Sequence, residues 1–156
     1  MHEHDQAGSA DVLIIGAGIA GLSLATALGR QGFRVSVIDG ASRPEAPKPG
    51  KELQDWDLRV SALTPASIAF LAEIGVWRDA STHRAAPYDC MRVWDASGSG
   101  SIVFDAGEAD ASSLGHIVEN REILQALLQC AQALPCVELC WGHALETMSS
   151  AGSGWL

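Results

Sequence analysis

The sequence predicts an α/β fold with a parallel sheet and flanking helices, and three consecutive segments support this prediction. The first is the continuous apolar run VLII over residues 12–15, as expected of a central strand buried on both faces. A glycine-rich turn follows and opens a segment with apolar residues at helical spacing, which should stop at Gly29 and Gly32. The third segment, RVSVID over residues 34–39, is typical of a second strand that ends in an acid.

The uncharged stretch from Val12 to Gly29 has 18 residues, the minimum length of a membrane-spanning helix. Four glycines interrupt it, and its β-branched residues give way to small ones partway along. The Lys/Arg flank expected of a signal peptide does not precede it. These features favour a strand followed by a helix.

Capping residues and apolar stripes predict two further helices. Thr64-Pro65 combines an N-cap residue with proline at the first helical position, and the stripe behind it ends at Gly75. Asn120 can cap a third helix that runs to about Leu134. The stripes consist of Ile68, Leu71 and Ile74 in the first of these helices and of Ile123, Leu127 and Leu128 in the second.

The remaining segments are predicted as strands and loops. Residues 88–105 alternate with a period of two around the turn-rich segment 95–100, which indicates a β-hairpin. A strand is expected over Val137 to Trp141, and the proline-rich segment 40–56 is expected to be an exposed loop. The last residues, from 150 onward, are expected to form no element.

Composition limits the classes of function that need to be considered. The chain has 156 residues, 47% of them hydrophobic, which suits one globular domain of ordinary size. Its 10 basic and 19 acidic residues give a formal charge of −9, which disfavours binding to nucleic acid phosphates. Its four cysteines are too few for a disulfide scaffold, and no two of them form the CxxC pair typical of a zinc site. A reducing cytosol fits this cysteine usage best.

The glycine-rich turn is the motif that points to chemistry. Its sequence GAGIAG is a GxGxxG motif that lies between a predicted strand and a predicted helix, with Asp39 23 residues after Gly16. Gly16 permits the tight turn, Gly18 lets a pyrophosphate approach the backbone, and Gly21, like Ala25 and Gly32 further on, permits close packing.

A dinucleotide would be held at this turn by the start of the helix and by the acid. The free N–H groups and the positive end of the helix dipole would face the phosphates. Asp39 would accept hydrogen bonds from the adenosine ribose, and its charge disfavours the 2′-phosphate of NADP. These residues do not decide between FAD and NAD.

Four ordered blocks of this sequence resemble the FAD-dependent aromatic hydroxylases of ubiquinone biosynthesis, which are class A flavoprotein monooxygenases. The likeness is strongest to the 2-polyprenylphenol hydroxylase branch and extends from about Asp11 to Met148. The blocks are DVLIIGAGIAGLSLATALGRQGFRVSVID, DLRVSALTPASIAFLAEIGVW, YDCMRVWDASGSGSIVFDA and LGHIVENREILQALL. The resemblance favours FAD over NAD.

The resemblance also implies further cofactor-binding residues. Arg59 matches an arginine directed toward the flavin and pyrophosphate, although a surface pair with Asp55 or Asp57 is the alternative. Arg121 matches a position that touches FAD from the third helix, with an ordinary exposed arginine as the alternative. Leu145 matches a position near the adenine, with a core residue as the alternative. The complete predicted set is Gly16, Ala17, Gly18, Ile19, Ala20, Gly21, Asp39, Gly40, Arg59, Arg121 and Leu145.

The implied reaction is hydroxylation of the ring of a polyprenylated phenol or quinol. NAD(P)H would reduce the flavin, and O2 would react through a flavin C4a-hydroperoxide. The protein would supply orientation and exclusion of water, so no catalytic side chain and no metal ligand is predicted; an acid/base pair of His116 and Glu119 is disfavoured. The expected location is cytoplasmic, with peripheral contact at the inner face of the membrane and with other ubiquinone-biosynthesis proteins as partners.

The resemblance implies a chain longer than this one. It implies that residues 8–84 and 113–150 are an incomplete FAD-binding domain of Rossmann type, and that 85–112 are the first hairpin of an incomplete substrate-binding β-sheet domain. Residues 151–156 would be a truncated end. We therefore expect an N-terminal fragment that is inactive alone. The alternatives are an NAD-dependent dehydrogenase and a non-catalytic nucleotide-binding domain.

Overall fold

The computed structural model describes residues 10–46, 55–77, 85–151 and 154–155. The helices of these ranges are α1 (Ile19–Arg30), α2 (Pro65–Glu73) and α3 (Asn120–Gln132), and a 3₁₀ turn covers Ala106–Ala109. The strands are β1 (Val12–Ile15), β2 (Val35–Asp39), β3 (Val60–Leu63), β4 (Ala85–Tyr88), β5 (Cys90–Trp94), β6 (Ser101–Asp105), β7 (Gly115–Glu119), β8 (Val137–Trp141), β9 (Ser150–Ala151) and β10 (Gly154–Trp155).

Contacts within the chain group it into two compact units. The first unit contains the described residues up to 46 and from 127 onward, and the second contains those in between. The dividing point lies inside α3. The domain limits predicted from the sequence stay a prediction.

The first unit is a parallel sheet with α1 packed against it. Its strands lie in the order β1-β2-β8, and Val35 of β2 pairs with Val12 on one side and Val137 on the other. This confirms the predicted α/β class, and the order matches one half of a Rossmann sheet. The buried residues of α1 are Leu22, Ser23, Ala25, Thr26 and Gly29.

The uncharged stretch from 12 to 29 folds as predicted, as a strand followed by a helix. β1 has 4 residues and α1 has 12, and both are too short to cross a membrane. In the described ranges, no helix has the length and apolar character that a membrane crossing requires.

The prediction that β1 is buried on both faces was wrong. Ile14 is 7% exposed and faces α1, since its Cγ2 lies 3.3 Å from the position that a Cβ on Gly21 would take. Leu13 and Ile15 are 50% and 56% exposed. Side chains alternate across a strand, so these two residues lie on the face opposite α1.

The close packing predicted at Gly32 is found at Gly29 instead. A Cβ on Gly32 would meet no atom within 4 Å among the residues that the structure describes, and the φ of Gly32, +87°, fits the turn that ends α1. A Cβ on Gly29 would lie 2.5 Å from Cγ2 of Val137 and 3.0 Å from Cδ1 of Leu134. Gly29 therefore allows α1 to approach β8 and the turn before it. Ala25 is fully buried, as predicted.

The second unit contains an antiparallel sheet in the order β3-β7-β4. Val60 of β3 pairs with Glu119, and Ala85 of β4 pairs with Val118. α2 begins as predicted, with Pro65 at its first turn and the Thr64 hydroxyl accepting a hydrogen bond from the Ser67 N–H at 3.3 Å.

The predicted hairpin and the predicted strand at 137–141 are present. β5 and β6 pair antiparallel with Met91 opposite Phe104, and β8 covers the range predicted for it. The predicted loop 40–56 contains no helix or strand up to residue 46, while residues 47–54 lie outside the described ranges. The expectation that the last residues form no element was wrong, because β9 and β10 pair antiparallel with Trp155 opposite Ser150.

Candidate functional site

The candidate site lies in the first unit, at the turn between β1 and α1. The Gly16 N–H donates a hydrogen bond to the Ile38 carbonyl at 2.8 Å, which continues the pairing of β1 with β2. Gly16 then takes φ of +102°, a conformation that side chains with a Cβ rarely adopt. The chain can therefore leave the strand and begin α1 within three residues.

Gly21 and Gly18 have different surroundings. A Cβ on Gly21 would collide with the Gly16 carbonyl oxygen, so the absence of a side chain at Gly21 is what lets α1 cross this close to the turn. A Cβ on Gly18 would meet no atom of the described residues within 4 Å. Gly18 thus borders open space that a ligand can occupy.

The N-terminus of α1 presents hydrogen-bond donors. Its N-cap is Gly18, and no side chain in the described part of the chain caps it. The first helical hydrogen bond runs from the Leu22 N–H to the Gly18 carbonyl at 2.9 Å, so the N–H groups of residues 19–21 precede the first bond. Free N–H groups and the positive end of the helix dipole together favour an anion at this position.

Asp39 ends β2 beside this turn. Its Oδ2 accepts a hydrogen bond from the Ala17 N–H at 2.7 Å, and its Oδ1 accepts one from the Ala41 N–H at 2.8 Å. These bonds, the one from Ala41 foremost, lower the pKa of the Asp39 carboxyl below its usual value. Each carboxylate oxygen can accept a further hydrogen bond, so the side chain can join the turn to a hydroxyl-bearing ligand.

The pKa shift of Asp39 predicts how stability depends on pH. Because the folded-state pKa is lowered, Asp39 contributes to the free energy of unfolding above its unfolded-state pKa, about 3.9, and loses that contribution as the pH falls through the folded-state value. We expect Asp39→Asn to lower the free energy of unfolding by a constant amount from about pH 5 to 8. Below about pH 4, the free energies of unfolding of the variant and the unchanged protein should become more similar. Denaturant titrations at each pH measure these free energies, and a difference between the two proteins that is the same at all pH values would refute the prediction.

The segments that follow β2 and β8 meet at the same edge of the sheet. The His143 N–H donates to the Asp39 carbonyl at 3.0 Å, and the Gly142 N–H donates to the Ala41 carbonyl at 3.0 Å. Gly40 lies close to this segment, since a Cβ on it would be 3.7 Å from the Ala144 Cβ. Leu145 is 41% exposed, so it is not a buried core residue. The first unit thus brings together the glycine turn, Asp39, Gly40 and the segment that carries Leu145.

The other two predicted site residues, Arg59 and Arg121, lie close together in the second unit. The Arg59 residue is exposed, and its hydrogen bonds to Asp57 and Asn120 use its main chain. The Arg121 side chain is 28% exposed, and its Nη2 lies 2.8 Å from Oε2 of Glu119. Arg121 is therefore mostly buried, unlike the exposed arginine that was the alternative.

Glu119 is buried and has partners that the sequence did not reveal. It is 1% exposed and binds Arg121 and the Asp57 N–H. An acid/base pair of Glu119 with His116 is disfavoured by the structure as well as by the sequence, because residues three apart on β7 point to opposite faces. The His116 ring instead contacts Trp77, with ring centres 5.9 Å apart.

Comparisons with known proteins agree with a nucleotide-binding turn. A family described as FAD binding domain matches residues 9–154. The chain is 36% identical over 129 residues to 3-demethoxyubiquinol 3-hydroxylase of Escherichia coli (strain K12), which covers 83% of this chain and 32% of that protein. It is 37% identical over 131 residues to the ubiquinone hydroxylase UbiL of Rhodospirillum rubrum, and the match covers 83% of this chain and 29% of UbiL. The mitochondrial ubiquinone biosynthesis monooxygenase COQ6 of Xenopus tropicalis is 37% identical over 122 residues, and the match covers 75% of this chain and 25% of COQ6.

Solved structures support the fold. PqsL of Pseudomonas aeruginosa, described as a probable FAD-dependent monooxygenase, aligns with a TM-score of 0.67 at 22% identity over 93% of this chain and 36% of its own. The flavin-dependent monooxygenase PieE, solved with FAD and substrate, aligns with a TM-score of 0.68 at 18% identity. The alignment covers 94% of this chain and 26% of the PieE chain. The chain spans between a quarter and a third of the length of the three curated relatives named above.

Proposed function

Because this chain belongs to the family of FAD-binding domains, we propose that it forms the FAD-binding part of a monooxygenase that hydroxylates the ring of a polyprenylated phenol or quinol in ubiquinone biosynthesis. The observation that carries the proposal is the open space at Gly18, in front of the uncapped N-terminus of α1 and beside Asp39. The names of the relatives, two ubiquinone-pathway hydroxylases and a ubiquinone biosynthesis monooxygenase, support the choice of substrate.

The residues present suit a dinucleotide in both charge and shape. The N–H groups of residues 19–21 would bind the diphosphate, and the absence of a Cβ at Gly18 would let the diphosphate reach them. Asp39 would accept hydrogen bonds from the adenosine ribose, with Gly40 and Leu145 beside the adenine. Arg59 and Arg121 would supply positive charge to the flavin and diphosphate.

When bound, FAD would supply the redox chemistry for transfer of one oxygen atom from O2 to an electron-rich ring, with NAD(P)H as the proposed reductant. The tasks of this chain are to bind the cofactor, to orient it and to keep water away from it. A polyprenyl tail partitions into lipid, so we propose that the whole protein is cytoplasmic and works at the inner face of the membrane. The pathway named for the relatives supports other ubiquinone-biosynthesis proteins as partners.

A titration with two dinucleotides tests the choice of cofactor. We expect the purified protein to quench FAD fluorescence with saturation, and we expect NAD at the same concentrations not to displace the FAD. Binding of NAD with no binding of FAD would refute the proposal and favour a dehydrogenase. For the activity, the whole flavin-loaded protein should consume NAD(P)H and O2 and add one oxygen atom to a prenylated phenol. Mass spectrometry of the product checks that addition.

A further inference from the structure

His143 is an exposed imidazole of the first unit that the proposed function does not yet use. It lies in the segment that follows β8, and its main-chain N–H donates to the Asp39 carbonyl at 3.0 Å. The preceding N–H, that of Gly142, donates to the Ala41 carbonyl at 3.0 Å. These two bonds hold His143 at the carboxyl edge of the parallel sheet, which is the edge where sheets of this kind bind their ligands.

The His143 ring is oriented by a hydrogen bond to its own turn. Its Nδ1 lies 2.9 Å from the Trp141 carbonyl oxygen. A carbonyl oxygen can only accept, so the proton of this bond belongs to Nδ1. An uncharged imidazole has a single N–H, so Nε2 is then a hydrogen-bond acceptor. Water can satisfy an exposed acceptor, so the informative observation is that the ring is fixed in one tautomer and one direction.

The place of His143 indicates which part of FAD its Nε2 would meet. The adenosine half of FAD has two kinds of hydrogen-bond donor, the ribose hydroxyls and the 6-amino group of adenine. The proposed function assigns the ribose to Asp39 and puts the adenine beside Gly40 and Leu145. His143 is bonded to the Asp39 main chain and lies two residues before Leu145. An acceptor at this place therefore suits the 6-amino group.

We propose that His143 is a specificity-determining residue whose Nε2 accepts a hydrogen bond from the 6-amino group of adenine. This inference rests on the proposed function and deepens it, because the diphosphate and the ribose are the same whichever base a dinucleotide carries. Hypoxanthine has an oxygen in place of the 6-amino group and would present an acceptor to an acceptor. The ring could donate from Nε2 only by giving up its hydrogen bond to Trp141.

The test compares the Kd of FAD with that of its analogue carrying hypoxanthine in place of adenine, by fluorescence quenching at about pH 8, where an imidazole is uncharged. We expect the unchanged protein to bind FAD about 2- to 10-fold more tightly, as one neutral hydrogen bond allows. His143→Asn keeps an N–H for the Trp141 carbonyl but has no acceptor at the position of Nε2. It should weaken FAD binding by that factor, leave the Kd of the analogue unchanged and so abolish the preference. Glu138→Gln, at an exposed position of β8, is the control and should change neither Kd.

Three results would overturn the inference while leaving the proposed function intact. The first is equal affinity of the unchanged protein for FAD and the analogue. The second is a preference for FAD that persists in His143→Asn. The third is an equal loss of affinity for both ligands in His143→Asn, because that pattern indicates a displaced segment and no recognition of the base. If the unchanged protein binds neither ligand, the proposed function itself fails.

Discussion

Replacing Gly21 by alanine is expected to destabilise the fold more than any other substitution in the glycine turn. The added Cβ would collide with the Gly16 carbonyl oxygen, which is backbone and cannot rotate away. Gly16 is itself fixed by its hydrogen bond to Ile38 and by its φ of +102°. Relief therefore requires α1 to move away from β1, at a cost of roughly 1–3 kcal/mol or more. Chemical denaturation measures the free energy of unfolding.

The matched control is an alanine substitution at Gly18, which lies in the same turn. Gly18 has φ of −77° and ψ of −176°, which alanine adopts freely, and a Cβ there meets open space. Alanine is a poorer N-cap than glycine but also restricts the unfolded chain, and these opposing effects, each roughly 1 kcal/mol or less, should leave stability nearly unchanged. Equal stability of the Gly21→Ala and Gly18→Ala proteins would contradict the packing described for the turn.

The same Gly18→Ala protein should bind FAD poorly. Its Cβ would occupy the space through which the diphosphate reaches the N–H groups of residues 19–21. A hydrogen bond to a charged group contributes roughly 1.5–3 kcal/mol, so the loss of one raises the Kd for FAD about 10- to 100-fold. Fluorescence titration measures the Kd, and thermal unfolding without FAD confirms that the fold is intact.

This pair of substitutions separates binding from folding. A Gly18→Ala protein that binds FAD with the original Kd would show that the diphosphate does not approach Gly18. Weakened FAD binding together with a loss of stability in the absence of FAD would show that a Cβ at Gly18 contacts the protein and does not enter open space. The expected pattern is a loss of stability for Gly21→Ala and a loss of affinity, with stability kept, for Gly18→Ala.

The local part of the fold could be predicted from the sequence. The strand, glycine turn, helix and second strand over residues 12–39 follow from apolar runs, glycine spacing and helical periodicity, all of which are short-range signals. The hairpin of β5 and β6 and the cap of α2 at Thr64 follow from signals of the same kind. Within the candidate site, the neighbouring positions of Asp39 and the turn could be predicted because β1 and β2 are consecutive parallel strands.

The antiparallel sheet of the second unit was not predicted. β3 and β4 have 4 residues each and β7 has 5, and Val60 pairs with Glu119 although the two are far apart in sequence. Short strands joined over such a separation leave no periodic pattern. The contacts of Glu119 could not be predicted for the same reason, since its partner Asp57 lies 62 residues away in sequence. Periodicity also failed to show that one face of β1 is exposed. A continuous apolar run has the same pattern in a strand buried on both faces and in a strand with one exposed face.

A crystal structure of the protein with FAD tests the central claim most directly. We expect the diphosphate oxygens to lie within hydrogen-bond distance of the N–H groups at the start of α1, above Gly18, with a ribose hydroxyl bonded to the Asp39 carboxylate. FAD bound away from this turn, or Asp39 making no contact with the ribose, would contradict the account.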